Sequence, residues 1–224
     1  MERKYYKAYN DRYQQVHALD LQWFCDAPSP IVIETIQKHQ ITHKQKILEL
    51  GCGEGRDAVP LFEAGFNLLA TDVSEAAIKF CRNKNPQFAD RFQILDCVAG
   101  ETAQKFDFIF AVAVVHMLVE DADRDAFYTF IRNHLNTDGI ALICTMGDGE
   151  MEHQTDIRTA FELQNRTHEQ TGREVQIAST SCRMVSFQTF EKEIKRNGLT
   201  IVEKGSTAVV PDFPVMMYAV VEKN

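Results

Sequence analysis

The segment Glu49-Leu50-Gly51-Cys52-Gly53-Glu54-Gly55-Arg56 sets three glycines at alternate positions. Glycine tolerates positive φ and lets a backbone approach a ligand closely, so this turn is suited to cradling a small molecule. Asp72 follows about twenty residues on, the spacing at which an acid ending the next strand grips ribose hydroxyls. Turn and acid together point to a ligand with a nucleoside part. A dinucleotide turn needs a third glycine where its helix packs on the strand. Counting from Gly51, that position is Arg56, far too large for the packing, so the dinucleotide pattern fails.

Such a turn works only if strand and helix hold it. Ile47–Leu50 is a short apolar strand entering the glycines, and Asp57–Ala64 reads as the helix leaving them, with Pro60 near its first turn and Gly65 as its stop. Asn67–Thr71 is a second strand. Ser74 is a good N-cap for a helix that turns Ala77, Ile78 and Cys81 inward. Phe92–Leu95 and Phe106–Ala113 are a third and a fourth strand. Asp121 opens a helix with Phe127, Phe130, Ile131 and Leu135 on one face. Asp138-Gly139 turns into a fifth strand, Ile140–Thr145.

Strand–helix alternation with unbroken apolar strands predicts an α/β fold whose parallel sheet is covered on both faces. Before it, an aromatic helical region carries Tyr5, Tyr6, Tyr9 and Tyr13, with Val16 and His17 at helical spacing. Leu21–Phe24 and Pro28-Ser29-Pro30 then open a helix with Ile31, Val32 and Ile36 inward. After it, the polar stretch Met146–Val185 reads as an insertion with a helix near Asp156–Gln170 and no strong strand before Val175. Ser186 caps a helix over Phe187–Arg196, stopped by Gly198. Leu199–Glu203 and Met216–Glu222 close the chain as two strands pairing antiparallel at the sheet edge.

The chain has 224 residues, 25% of them charged, with a net charge of −8. That suits one domain with a substantial core: a helical cap over 1–45, a ligand-binding core over 46–145, an insertion or lid over 146–185 and a closing unit over 186–224. No basic stripe is present for tracking phosphates, which argues against nucleic acid and anionic membranes as partners. The longest apolar run, Phe106–Val115, is broken by Asp107 and falls short of the roughly 20 residues of a membrane helix. Met1–Asp11 has no signal-peptide core. The six cysteines, Cys25, Cys52, Cys81, Cys97, Cys144 and Cys182, form no CxxC pair and read as free thiols of a reducing, cytoplasmic compartment.

What remains after the dinucleotide pattern fails, Glu49-x-Gly51-x-Gly53-x-Gly55, resembles the first motif of the class I S-adenosylmethionine-dependent methyltransferases. The resemblance runs from about Lys46 to Thr145 and more loosely to the end. It implies a Rossmann-like, mostly parallel seven-stranded sheet with helices on both faces and an antiparallel edge strand, and S-adenosylmethionine as cofactor. By resemblance, Gly51, Cys52 and Gly53 approach the methionine and ribose parts alongside Glu49, Asp72 holds the ribose hydroxyls and Val73 lies beside the adenine. Asp96, next to Cys97, meets the adenine amino group, and strand four, Phe106-Asp107-Phe108-Ile109-Phe110 with Ala111 at its end, closes under the methyl donor. Gly55-Arg56-Asp57-Ala58 with Gly65 looks most like the small-molecule branch that includes tellurite-resistance and thiopurine methyltransferases. The usual Pro-Gly before strand five is Asp138-Gly139 here.

A sulfonium donor carries its own leaving group, so the protein mainly positions the reactants and excludes water. A base is needed only for a protonated acceptor, and no catalytic residue is assigned. The acceptor site belongs above the carboxyl ends of the strands. His116 orients or deprotonates an acceptor there, or caps a turn. Tyr13, His17 and Trp23 close over the site, or pack their helix on the sheet. Arg183 meets an anionic acceptor, or stays solvated. Arg56 meets the cofactor's carboxylate, or forms a surface ion pair. His39-Gln40-Ile41-Thr42-His43 has Gln where a zinc protease needs Glu, and Asp148 lacks a matching carboxylate after strand four, so no metal is expected. Ala111-Val112-Ala113-Val114 offers neither the DNA amino-methylation motif nor a nucleophilic Cys. The expected activity is methyl transfer to a small molecule. The alternatives are a protein or RNA methyltransferase, or a catalytically silent cofactor-binding module. Nothing in the sequence fixes the acceptor or the oligomeric state.

Overall fold

The computed structural model describes residues 3–23, 27–207 and 215–224; Phe24 and Cys25 lie outside them. The aromatic segment is helical: a 3-10 turn over Tyr5–Lys7 leads into α1 (Ala8–His17). Pro30 opens α2 (Pro30–Lys38), a position where its missing N–H has no partner to lose. Strand and helix then alternate through β1 (Ile47–Leu50), α3 (Ala58–Glu63), β2 (Leu68–Asp72), α4 (Glu75–Lys84), β3 (Phe92–Ile94), β4 (Phe106–Val112), α5 (Asp121–His134) and β5 (Leu135–Met146). Ser74 caps α4 by accepting the Ala77 N–H at 3.1 Å.

Two expectations need correction. Asp138-Gly139 does not turn into strand five but lies within β5, which starts at Leu135. The register against β4 jumps there from Phe106↔Leu135 to Phe108↔Ile140, so the surplus residues bulge. Gly139 fits the bulge because a Cβ would stand 2.9 Å from the Phe106 carbonyl oxygen. Nor does an α-helix form near Asp156–Gln170, where the structure has a single 3-10 turn over Ile157–Thr159. A two-residue ladder joins β6 (His153–Gln154) to β9 (Arg183–Met184), and between them β7 (Leu163–Thr167) and β8 (Glu174–Ala178) form an antiparallel hairpin. The period of two decides it: Val175 and Ile177 turn inward onto Val16 of α1, with Gln176 exposed between them.

Ser186 caps α6 (Phe187–Arg196) by accepting the Thr189 N–H. Then β10 (Leu199–Thr207) pairs antiparallel with β11 (Met216–Lys223). One seven-stranded sheet results, ordered β10-β11-β5-β4-β1-β2-β3, with β11 antiparallel to both neighbours. Apolar clusters cover both faces. Ile109 and Ala111 of β4 join α5 and α6 on one side, while Phe108, Phe110 and Val112 join α2, α3 and α4 on the other. No helix of the described residues is long and apolar enough to cross a membrane. Strand order reverses between β1 and β4, the place where open α/β sheets leave a crevice at the carboxyl ends.

Candidate functional site

That crevice is built on the glycine turn. Gly51, Gly53 and Gly55 have φ of 74°, 52° and 87°, a region that L side chains rarely adopt. The N–H groups of Gly51 and Cys52 donate to the Thr71 carbonyl at 2.8 and 2.9 Å, fastening the turn to β2. Neighbours leave no space for a side chain: a Cβ on Gly51 would meet Val114 at 2.4 Å, and one on Gly53 the Tyr13 hydroxyl at 2.7 Å. Glu49, Gly51, Cys52, Gly53, Arg56, Asp72, Val73, Asp96 and Cys97 all line this cleft, and Tyr6, Tyr9 and Tyr13 of the N-terminal segment form its opposite wall.

Ala111 is not among the lining residues; it lies in the core. The chain beyond it supplies Val112, Ala113, Val114 and Met117 instead. Ala113 turns the strand into the cleft with φ 59°, a left-handed value that a small side chain tolerates best and that marks strain held at a site.

The carboxylates differ in their surroundings. Asp72 Oδ2 accepts the Gly53 N–H and Oδ1 the Ser74 N–H, each at 2.8 Å. Burial raises its pKa against these bonds, which lower it. Glu49 Oε2 is buried with no hydrogen-bond partner among the described residues; burial, then Asp57, pushes its pKa well up. Asp96 is engaged from the N-terminal side by Lys7 Nζ at 3.1 Å and the Tyr6 hydroxyl at 3.2 Å. Arg56 Nε lies 3.7 Å from Asp57. Burial pushes the Cys97 thiol to about 12 and Cys52 well up, so neither is a thiolate nucleophile near neutrality.

A second cavity of about 790 Å³ adjoins the cleft. Its walls are Tyr9, Arg12 and Trp23, then His116, Met117 and Met146, then residues of the β7–β8 hairpin and Ser179–Cys182. Tyr9 and Met117 line both spaces. His116 is buried, and burial together with Arg124 lowers its pKa to about 3.

The remaining expected residues lie elsewhere. His17 lines neither space: it stacks on Phe80 at 4.4 Å and its Nε2 lies 2.8 Å from Glu54 Oε1. Glu54 also accepts the Trp23 backbone N–H at 2.9 Å, so the glycine turn itself anchors the segment that follows α1. Arg183 lines neither space and is tied down, donating to the Val119 carbonyl and to Asp121, both at 2.7 Å. His39 and His43 diverge, toward Glu203 and Phe66. Sequence reasoning missed Arg12, Val114 and Met117.

Comparison with known proteins agrees with this geometry. A family described as "Methyltransferase domain" matches residues 48–141. The ubiquinone biosynthesis O-methyltransferase of Rickettsia akari is 26% identical over 119 residues, covering 51% of this chain and 46% of that protein; the match thus spans about half the length of that curated relative. Among solved structures, the CcbJ methyltransferase of Streptomyces caelestis superposes with a TM-score of 0.71 at 15% identity, covering 97% of this chain and 98% of that one. An S-adenosylmethionine-dependent methyltransferase of Clostridium acetobutylicum gives 0.67 at 17% identity, covering 95% and 96%. A TehB-like methyltransferase of Corynebacterium glutamicum gives 0.58 at 19%, covering 98% of each chain. The sheet order, the glycine turn and the acid ending β2 agree with the family match: residues 48–141 form a methyltransferase domain, and the fold as a whole is that of the solved S-adenosylmethionine-dependent methyltransferases.

Proposed function

We propose that this protein transfers the methyl group of S-adenosylmethionine to a small-molecule acceptor held in the second cavity. The observation that carries the reading is the junction of the two spaces at Tyr9 and Met117, which lets a cofactor in one and an acceptor in the other meet. The cleft suits the cofactor's chemistry. Each Asp72 oxygen accepts one backbone N–H and keeps a lone pair for a hydroxyl donor. Val73 offers an apolar flank. The unpartnered oxygen of Glu49 suits a cationic group. Bound there, the cofactor supplies an electrophilic methyl on a sulfonium leaving group.

The chain's own residues then position and desolvate. Tyr6, Tyr9 and Tyr13 cover the cleft, and the β7–β8 hairpin encloses the acceptor, so the 1–45 cap and the 146–185 insertion act as two sides of one lid. His116, neutral at working pH, accepts a hydrogen bond from the acceptor rather than carrying charge. Small acceptors are supported by similar proteins, an O-methyltransferase of ubiquinone biosynthesis and a glycopeptide N-methyltransferase, and by the net charge of −8, which disfavours RNA. The free cysteines Cys52, Cys81, Cys97, Cys144 and Cys182 support a cytoplasmic setting.

Calorimetry tests the cofactor: S-adenosylhomocysteine is expected to bind and NAD is not. The reverse result overturns the reading. A radiolabelled-methyl screen over a small-molecule panel tests turnover; binding without transfer to any acceptor favours the silent module.

A further inference from the structure

Arg12 sits on α1 in the wall of the second cavity with 5% of its surface exposed. Its Nε and Nη2 donate to the carbonyl oxygens of Ala178 and Ser179 at 2.7 to 3.1 Å. The guanidinium lies over Trp23 at 5.0 Å and Tyr9 at 5.2 Å. Among the described residues no carboxylate pairs with it. The neighbouring charge is a second cation, Arg166 of β7, which lines the same cavity from its exposed side. Glu169 is the sole carboxylate among the described lining residues, and it is exposed at the hairpin turn.

A buried cation without a counter-ion is unfavourable, and tying α1 to β8 does not require one. Gln15 already makes that tie, its Oε1 accepting the Ala178 N–H at 2.7 Å. Arg12 Nη1 makes none of the bonds to Ala178 and Ser179. A guanidinium in this state is a carboxylate receptor. The aromatic faces of Trp23 and Tyr9 beside it suit the organic body of such a ligand, and about 790 Å³ is ample for a small organic molecule.

We propose that the acceptor is an organic acid, its carboxylate held by Arg12 with Arg166 at the rim and its methyl-accepting atom turned toward the Tyr9–Met117 junction. The proposal rests on the methyltransferase reading of the cleft, and its test separates the two.

Trp23 is the chain's single tryptophan and stands in the cavity wall, so its fluorescence reports occupancy there. Protein saturated with S-adenosylhomocysteine is titrated with benzoate, phenylacetate and 3-phenylpropionate, each beside its amide, and with inorganic phosphate. At least one acid is expected to bind about tenfold or more tighter than its amide. Arg12→Gln should abolish that preference and Arg166→Gln weaken it, while calorimetric affinity for S-adenosylhomocysteine stays within a few-fold. Arg12→Lys, which keeps the charge, should retain part of the preference. A purely structural Arg12 would not set an acid-over-amide preference. Equal binding of acids and amides overturns the proposal, as does an acid preference that survives Arg12→Gln. The wild-type acid-to-amide comparison stands even where a variant does not fold. Phosphate binding more tightly than every acid overturns the organic acid in favour of a bare oxyanion. Failure to bind S-adenosylhomocysteine strikes the methyltransferase reading instead.

Discussion

The Tyr13 hydroxyl rests on Gly53, so close that a Cβ built on the glycine would stand 2.7 Å from it. Tyr13 belongs to the N-terminal cap and Gly53 to the turn between β1 and α3, so the cap touches the turn directly. Burial, reinforced by the Asp72 and Glu54 charges, holds the Tyr13 phenol well above its ordinary pKa; it stays a neutral donor.

Gly53→Ala is therefore expected to act twice. The left-handed backbone costs an L-residue about 1–2 kcal/mol, and the methyl displaces Tyr13. Urea denaturation should show the loss of stability, and calorimetry a weaker affinity for S-adenosylhomocysteine. Adding Tyr13→Phe removes the clash and leaves the backbone strain, so the double variant should recover part of the affinity. No recovery would place the whole effect in the backbone.

Asp72 carries a separate expectation. Charge-assisted hydrogen bonds contribute about 1.5–3 kcal/mol each, so Asp72→Ala should weaken S-adenosylhomocysteine binding by at least about tenfold. The Gly53 and Ser74 N–H groups lose their acceptor as well, which lowers stability. Affinity is therefore compared at a temperature where both proteins are folded. Asp96→Ala should cost less affinity but loosen the cap, because Lys7 and Tyr6 reach Asp96 from it. Wild-type affinity in folded Asp72→Ala removes the carboxylate from the cofactor's grip.

What the sequence made legible follows from what is local. The five parallel strands are apolar runs, and the glycine turn and Asp72 are fixed by chain spacing, so their juxtaposition across β1 and β2 could be read without a structure. The β7–β8 hairpin could not, because its polar residues suit a helix as well as a strand, and only the packing of Val175 and Ile177 on Val16 decides. Ala111 was misplaced for a similar reason: the left-handed Ala113, which swings the following residues into the cleft, leaves no mark in an alanine–valine run. Nothing local in the sequence marks Arg12. Its burial arises from a strand more than 160 residues later in the chain. Glu54 lies 2.8 Å from His17, a contact between α1 and the glycine turn that no local spacing in the sequence encodes.

His116 gives the protein an acid sensitivity of calculable sign. An exposed histidine titrates near 6.5, and burial with Arg124 lowers His116 to about 3. The unfolded chain therefore takes up a proton below about pH 6.5 that the folded one refuses. The stability this histidine contributes is full above pH 6.5 and falls as pH drops toward 3. From pH 7 to pH 5 the expected loss is about 2 kcal/mol. Urea midpoints at the two pH values should show this loss in the wild type and a smaller one in His116→Gln. Identical pH dependence in both proteins contradicts the assignment. In the same reading, no acid limb near 6.5 in turnover arises from His116.

The loop that carries His116 is held by a buried ion pair. Arg124 of α5 bonds Glu193 of α6 through Nε and Nη2 at 2.8 and 2.7 Å, with both side chains sealed from solvent. Its Nη1 donates to the carbonyls of Val115 and Leu118 at 2.7 and 3.0 Å, and the Tyr128 hydroxyl donates to Glu193 at 3.0 Å. Removing one partner leaves a buried charge uncompensated, so Arg124→Met should cost about 3–5 kcal/mol. Replacing both, as Arg124→Met with Glu193→Leu, removes the lone charge and should restore much of that stability. The double variant still lacks donors for the Val115 and Leu118 carbonyls, and the segment lining both cleft and cavity loses its hold. Its stability should approach the wild type while turnover stays depressed and S-adenosylhomocysteine affinity shifts little. Denaturation of the two single variants and the double one gives the coupling between the charges. Strictly additive losses would show that the two charges stabilise the fold independently and that the loop is held by other contacts.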